Sequence, residues 1–452
     1  MPKFEINKTG IKTIAELIEN GSDKQLLKIL KDVHYADIAE IIDELPVEGA
    51  TYLIKLLDSE KTADAITEVD EDLREKILEK LSAKEIAKEI QELDTDDAAD
   101  LIAELPVERQ EKVMSQISDT EHVEDIRELL TYEENTAGGL MAKELVKVQD
   151  SLSVLKCLNA MRAQAEEVTR VHSIYVVNEK NVLKGRLSLK DLITANSRAI
   201  VKDICIPSVD FVMVDQSGEE VAEIMSKYDL EAIPVVNSKK QLMGRITIDD
   251  ILDFIKEEAE KDYQLAAGIS NDVEANDGII QLTKARLPWL FLGLLGGLGS
   301  VFILQDFEQL MEQPELRSLF FYTPLIAAMA GNVGVQSSAI IVQGLANNVV
   351  KGSLLNLLIK EIGLSLINGI ALSFVLILFG FIIQQDLIIS LTIAGSMMGV
   401  IIIAALIGTF VPIILDKKGI DPAIATGPFI TTSNDIFGIF LFFYMAKFSL
   451  GF

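Results

Sequence analysis

Residues 281–305 read QLTKARLPWLFLGLLGGLGSVFILQ. Two cations, Lys284 and Arg286, precede Trp289 and then a run without Asp, Glu, Lys or Arg. A helix that crosses a bilayer needs about 20 apolar residues, and an aromatic at the edge of such a run belongs at the membrane–water boundary. This stretch divides the chain. Residues 285–452 hold nine acidic and seven basic side chains, leaving 60 acidic and 34 basic ahead of them. A formal net charge of −28 beside 49% hydrophobic residues is thereby explained, as an acidic soluble front and a nearly neutral apolar back.

Toward the C-terminus, five stretches are long enough to span a membrane: 287–305, 319–350, 362–385, 387–415 and 422–446. The first four contain no charged residue, and Pro324 with its neighbouring glycines predicts a tilt or a break in the second. Lys284, Arg286, Lys351, Lys360, Lys417 and Lys418 fall on one side of the spans. Asp306, Glu308, Glu312, Glu315 and Asp386 fall on the other with only Arg317, and Lys447 is a mild exception. The positive-inside bias predicts a multi-pass protein of the cell membrane with a cytosolic N-terminus and an outside C-terminus. The opening MPKFEINKTGIKTIAELIEN has no apolar core of signal-peptide type, which agrees.

The fifth span contains GPFITTSNDIFG (427–438), with Asp435 at membrane depth. An ionised carboxylate there costs about 2.5–3.5 kcal/mol and normally faces a pore, a proton path or a partner charge. The other spans offer no Lys or Arg at that depth, so a passing cation is the natural partner. The alternative is a protonated Asp hydrogen-bonded inside the bundle. Thr431, Thr432, Ser433 and Asn434 bring oxygens next to it. Asn332 and Gln336 do so from GNVGVQSS (331–338) in the second span, where Gly331 and Gly334 allow close backbone approach. Oxygen donors suit hard cations, and one carboxylate with few other charges suits an ion that keeps its water, as Mg2+ does. These residues alone leave Ca2+, Mn2+ and protons open. GLLGGLGS (293–300) lies inside an apolar span with no strand before it, so it reads as helix packing rather than a phosphate loop.

The acidic front argues against a nucleic-acid partner and for cations, or simply for solubility. Cys157 and Cys205 stand alone, as do His34, His122 and His172, so neither a disulfide framework nor a zinc site is expected. No nucleophile–base pair, Walker loop or metalloprotease motif is present, so no catalytic residue is assigned and an enzyme is not expected.

Two internal repeats organise the front. SIYVVNEKNVLKGRLSLKDL (173–192) aligns without gaps on AIPVVNSKKQLMGRITIDDI (232–251) at an offset of 59. Each copy reads as strand, turn, strand and helix start. The pair resembles tandem CBS domains. Both copies end in Ser/Thr-x-x-Asp, Ser188 to Asp191 and Thr247 to Asp250. In CBS modules this implies a contact to an adenine nucleotide such as ATP, while the same spacing also suits a helix cap. Earlier, YADIAEIIDELPVE (35–48) matches TDDAADLIAELPVE (95–108) at an offset of 60, with Pro46 and Pro106 at equivalent breaks. Helical periodicity over residues 10–130 predicts a superhelical stack of short helices. Asp94, Asp96, Asp97 and Asp100 read equally well as a solvated face. After the second CBS copy, DDILDFIKEEAEKDYQ (249–264) is helical, acidic and placed to relay a signal to the first span.

At this point the chain resembles the MgtE family of magnesium channels over nearly its whole length. The motifs are Tyr132-Glu133, Thr136-Ala137-Gly138 and Leu140-Met141; Pro324-Leu325, Gly331-Asn332, Gly334 and Gln336; and Asp421-Pro422-Ala423, Gly427-Pro428-Phe429, Thr431-Thr432 and Asp435. The expected fold is a multidomain membrane protein: an all-α superhelical N domain (1–131), α/β CBS copies (132–195 and 196–255), a connecting plug helix (256–284) and an α-helical domain of five transmembrane helices (285–452). The resemblance implies a homodimer with one pore, where Asp435 holds hydrated Mg2+ with Asn332, Gln336, Thr431 and Thr432 nearby. It implies regulatory Mg2+ at Asp229, Asp250, Asp253, Glu258 and Asp262, with Asp96 and Asp100 added from the N domain. It also implies nucleotide binding at the CBS pair through Ser188, Asp191 and Thr247. Gln343-Gly344-Leu345-Ala346 departs from the family's Arg-Gly-Leu-Ala, which removes a positive charge after the second span. Repulsion between carboxylates would part the domains without Mg2+, and bridging would close them and the pore. Two rivals stay open: a proton-coupled, Mn2+ or Co2+ permease under CBS control, and a non-transporting membrane receptor.

Overall fold

The computed structural model describes residues 7–451 except 166, 167, 169, 271, 272, 276, 314, 315, 347, 348, 351 and 352. Glu315 and Lys351, both used to orient the chain, lie outside the described residues, as does the start of the N-terminal segment. Two compact units emerge, Met1–Lys256 and Glu257–Phe452, each described here by itself.

The first unit opens with ten short helices: α1 (Lys8–Glu19), α2 (Asp23–Leu30), α3 (Tyr35–Asp43), α4 (Val47–Leu56), α5 (Ser59–Thr67), α6 (Glu71–Lys80), α7 (Ala83–Ile90), α8 (Thr95–Ala103), α9 (Val107–Met114) and α10 (Thr120–Leu129). Helices two apart in sequence pack together, α3 on α5, α4 on α6, α5 on α7, α7 on α9 and α8 on α10, as a superhelical stack requires. The repeated Leu-Pro-Val-Glu explains the rhythm. Pro46 and Pro106 each end one helix and cap the next, because proline suits a helix start and not an interior. Ile38, Ile42, Leu53, Ile86, Ile90 and Ile102 fill the seam between them.

Each CBS copy is a three-stranded sheet. In the first, β1 (Val146–Gln149) pairs parallel with β2 (Ile174–Val177), which pairs antiparallel with β3 (Leu183–Leu187). In the second, β4 (Val212–Met213), β5 (Ala232–Val236) and β6 (Leu242–Thr247) repeat that order. The repeat register survives in space: Gly185 opposes Val176, and Gly244 opposes Val235. The β-hairpins of the two copies bind each other's backbones, Leu183 N to Lys240 O at 3.0 Å and Leu242 N to Asn181 O at 2.9 Å. The leading strands β1 and β4 carry no repeated motif, and the repeat alone did not reveal them. Helices α11 (Val154–Gln164), α12 (Leu189–Thr194), α13 (Val201–Ile204) and α14 (Gly218–Tyr228) complete the copies, and α15 (Ile248–Ala267) leaves the second.

Among the described residues of the remaining chain, five helices are long and apolar enough to cross a membrane: α16 (Ile279–Asp306), α18 (Thr323–Ala346), α19 (Leu354–Ile382), α20 (Leu387–Lys417) and α21 (Pro428–Leu450), with a four-residue helix α17 (Ser318–Phe321) ahead of α18. Their ends differ from the expected spans for local reasons. Helix α16 starts eight residues before 287, so Lys284 and Arg286 lie within it and Pro288 is tolerated inside. The second span does break, ahead of Pro324, which then sits in the first turn of α18 where no N–H is needed. Helix α19 begins at Leu354, which draws Lys360 and Glu361 into its first turns. Helix α18 packs on α20 and α21, α20 on α19, and α16 on α21. Ile326, Ala330, Met397, Val400, Phe442 and Phe443 form the core. Leu290, Phe291, Phe302, Ile367 and Phe374 face outward, as lipid-facing residues do.

Candidate metal sites

Asp435 is held between two helices that come unusually close. Small residues permit this, because helix association in lipid depends on contact rather than on hydrophobic expulsion. A Cβ on Gly331 of α18 would lie 3.0 Å from Asp435 Oδ1 and 3.0 Å from Thr431 Cγ2. One turn on, Gly334 accepts the Asn434 side chain, and a Cβ on Gly408 of α20 would overlap the Gly334 carbonyl. The glycine pair of α18 thus registers on consecutive residues of α21. Asp435 Oδ1 is buried and makes no hydrogen bond to the described residues; both polar atoms of Asn434, itself 1% exposed, share that condition. Thr431 donates to the Gly427 carbonyl at 3.1 Å, and the Thr432 methyl packs against Gly296 of α16. Asn332 and Gln336 lie exposed on α18. Sequence reasoning named Asn434 as an oxygen bearer only; its depth follows from the Gly334 contact. It also passed over Glu361, which accepts from Ser337 of α18 at 2.6 Å.

The approach to α21 is equally tight. Gly427 lies against the Ala266 carbonyl, and Gly268, at φ +80°, against Pro428. The end of α15 therefore abuts the start of α21. Lys261 donates to Glu258 at 2.9 Å, and that bond, with Asp421 and Asp262 nearby, raises its ammonium pKa. Asp262 is exposed.

In the first unit, two helix starts bring carboxylates together. The N-cap of α8 supplies Asp94 and its first turn Asp96 and Asp97, and the first turn of α15 supplies Asp249 and Asp250. Helix starts favour negative charge, which makes the crowding tolerable. Thr95 donates to Glu144 through its backbone and hydroxyl, at 3.1 and 2.8 Å, so Glu144 serves the helix start and leaves the Asp94 carboxyl free to turn to Arg245, 3.7 Å away. Desolvation, then Glu144 and Asp250, push Asp94 up to about 6 against the attraction of Arg245. Desolvation, then Asp250, Asp100 and Asp94, push Asp97 up to about 7. Asp96 is raised well above the carboxylate range by desolvation, with Asp97 and Asp250 adding. Asp250 is raised by desolvation, although it accepts from the Thr247 backbone at 2.9 Å and hydroxyl at 2.6 Å. These are groups short of positive charge. Among the described residues no three His, Cys, Asp or Glu side chains are arranged to hold one ion. Carboxyl oxygens are donors of the kind that hard divalent cations prefer.

Of the other regulatory candidates, Asp100 is exposed on α8 and adds its charge to the cluster at Asp97. Asp229, in the left-handed conformation that ends α14, and Asp253 are exposed. Among the nucleotide candidates, Ser188 donates to Asp191 at 2.6 Å and caps α12, and Thr247 bonds Asp249 and Asp250; both motifs act as helix starts here.

Comparisons agree with this architecture. The MgtE divalent cation transporter family matches residues 323–445, the MgtE intracellular N domain matches 33–135, and CBS domains match 137–198 and 201–257. Magnesium transporter MgtE of Thermus thermophilus is 35% identical over 320 residues, 70% of each chain. The chain belongs to the MgtE family. A second MgtE, from Bacillus subtilis, is 34% identical over 318 residues, again 70% of each chain. A crystal structure of the cytosolic domain of the Mg2+ channel MgtE in complex with ATP covers 54% of this chain and 99% of its own, with TM-score 0.51 and 33% identity. The soluble part of a magnesium transporter covers 55% of this MgtE chain and 98% of its own, with TM-score 0.50 and 28% identity.

Proposed function

We propose that this chain imports Mg2+ across the cell membrane, with its N-terminus cytosolic, its C-terminus outside and two copies enclosing one pore. The observation that carries the reading is the buried, unpartnered carboxyl oxygen of Asp435, set against the glycine face of α18 inside an apolar bundle. A hydrated divalent ion balances that charge at a tolerable cost and leaves again, because one carboxylate binds weakly. Thr431 and Thr432 supply oxygens on the same helix, while Asn332 and Gln336, exposed on α18, are open to the second copy or to the aqueous path. The names of the relatives support Mg2+ as substrate.

Gating follows from the acidic junction. Regulatory Mg2+ would supply the positive charge that Asp94, Asp96, Asp97 and Asp250 lack. Ionised, these carboxylates repel and part α8 from the start of α15; neutralised, they let the two meet. Only a difference in ion affinity between the two arrangements shifts the balance. Asp229, Asp253, Glu258 and Asp262 extend the acidic surface along α14 and α15, and the contact of α15 with Gly427 and Pro428 gives its movement a route to α21. ATP at the CBS pair, through Ser188, Asp191 and Thr247, is a second input, supported by the ATP complex of the related cytosolic domain.

The test is rescue of a magnesium-auxotrophic strain, together with Mg2+ flux into liposomes with and without a pH gradient. Wild type should rescue, and Asp435→Ala should not at equal membrane abundance. Rescue by Asp435→Ala would refute the assignment, and flux that requires the pH gradient would favour a proton-coupled carrier.

A further inference from the structure

Arg186 and Arg245 hold the same place in the two CBS copies, 59 residues apart. Arg186 lies opposite Tyr175 in the first sheet, and Arg245 opposite Pro234 in the second. Each is also bridged on its outer side by a linker residue, Arg186 by Ile206 and Arg245 by Ala142. The backbones are equivalent, yet the side chains are not. Arg186 is exposed, whereas Arg245 is only 5% exposed. Its Nη2 lies 3.7 Å from Asp94 Oδ2, its Nη1 donates to the Arg170 carbonyl at 3.2 Å, and its Nε is buried without a partner among the described residues. Burying a guanidinium with one N–H unmet is costly unless nearby negative charge offsets it. The twin position shows that the CBS sheet needs no such burial. What differs is Asp94 at the start of α8, backed by Asp96, Asp97 and Asp250.

We propose that Arg245 is a built-in counter-cation of the acidic junction, holding α8 against the second CBS copy and thereby setting the Mg2+ concentration at which the two close. The pairing exists only while α8 is seated, so Arg245 favours the seated arrangement; its charge also reaches Asp250, while Asp96 and Asp97 are left to other cations. Part of the positive charge that the junction requires is thus covalent, and divalent ions supply the rest. This inference rests on the Mg2+-driven closure proposed above.

The experiment is limited chymotryptic digestion of the purified full chain across a Mg2+ series, reading the midpoint of protection. Arg245→Met, which keeps bulk without charge, should raise the midpoint roughly three- to tenfold. Arg245→Lys, which keeps the charge, should stay within about twofold of wild type, and so should Arg186→Met at the exposed twin. An unchanged or lowered midpoint in Arg245→Met overturns the proposal, as does an equal rise in Arg186→Met. Should Arg245→Met fail to fold, a Lys variant shifted as far as tenfold overturns it alone, because charge is then not what matters. If wild type shows no protection by Mg2+ at all, the closure reading falls first; if wild type responds and the Arg245 variants do not differ, only this inference falls.

Discussion

The floor of the proposed pore site is a missing side chain, and adding one should close the site without unfolding the protein. In Gly331→Ala the new methyl would sit 3.0 Å from both Asp435 Oδ1 and Thr431 Cγ2, whereas ordinary contact begins at 3.4 Å. Both neighbours must therefore yield by about 0.4 Å. The threonine is β-branched and its hydroxyl is tied to the Gly427 carbonyl, so it has little freedom to rotate. The carboxyl can rotate, and it is the part that gives way. Overpacking of this size costs about 1–3 kcal/mol. Alanine also favours helix over glycine by up to about 1 kcal/mol, so the net loss of stability should be small. The same methyl replaces water or ion beside Oδ1 with hydrocarbon, and about 1.4 kcal/mol lost from the bound ion is a tenfold loss of affinity. We expect Gly331→Ala to melt within a few degrees of wild type and to carry Mg2+ at a tenth of its rate or less at low external Mg2+, with partial recovery at high Mg2+. Gly297→Ala, where a Cβ meets nothing within 4 Å, is the control and should transport normally. Stopped-flow Mg2+ uptake into liposomes of matched protein content provides the measurement. Wild-type uptake by Gly331→Ala would show that the Asp435 carboxyl does not work against this face of α18.

Gly427→Ala should leave transport at low cytosolic Mg2+ intact and weaken its shut-off at high Mg2+, because a Cβ there collides with the Ala266 carbonyl at the end of α15; patch recordings with Mg2+ varied on the cytosolic face would read this, and unaltered inhibition would refute the coupling. The carboxylates at the junction set a pH dependence. Asp94 and Asp97 stand near 6 and 7, above their ordinary value of 3.8. Their contribution to seating α8 is thus fully present below about pH 4 and lost as pH rises through 6 and 7. Without divalent ions, protease protection should therefore grow between pH 7.5 and 5.5; constant or falling protection would contradict it.

How far the sequence could be read depended on the range of the interaction. Apolar runs and the repeats at offsets of 59 and 60 are local or periodic, so the five spans, the helical stack and the paired sheets were all legible. Asp435 was legible too, because one charge in an apolar helix stands out. Helix ends were not: Pro324 and Pro428 act as starts only because a turn precedes each, and the early start of α16 places two cations inside a helix whose apolar pattern begins later. The junction shows the deeper limit. Asp94, Asp96 and Asp97 looked like a solvated face, and by helical pattern alone they are one. What sets them apart is that Asp250, some 150 residues away, starts another helix beside them, and that Arg245, unlike its twin, is covered. Likewise Asn332 and Gln336 follow from spacing on α18, yet they lie exposed, since the glycines at 331 and 334 occupy the face toward α21.

The two anionic places make opposite demands on a divalent ion, and their composition fits each demand. A pore must release what it binds, and in the proposed pore Asp435, single on α21 beside neutral oxygens and a glycine floor, would hold a hydrated ion by one charge. A sensor must stay unoccupied until the ion is abundant and then respond within a narrow range. In the gating proposed above, several carboxylates with raised pKa values, two of them within the field of Arg245, would provide that: each ion bound would relieve repulsion among them, so occupancy and closure would rise together. If this is right, neutralising one junction carboxylate, as in Asp97→Asn, should flatten the dependence of closure on Mg2+ as well as move its midpoint. The same substitution at Asp435 should alter rate and leave the steepness of closure unchanged. Chymotryptic protection curves and flux measurements on the two variants separate these effects, and an Asp97→Asn curve as steep as wild type would argue that the junction carboxylates bind ions independently.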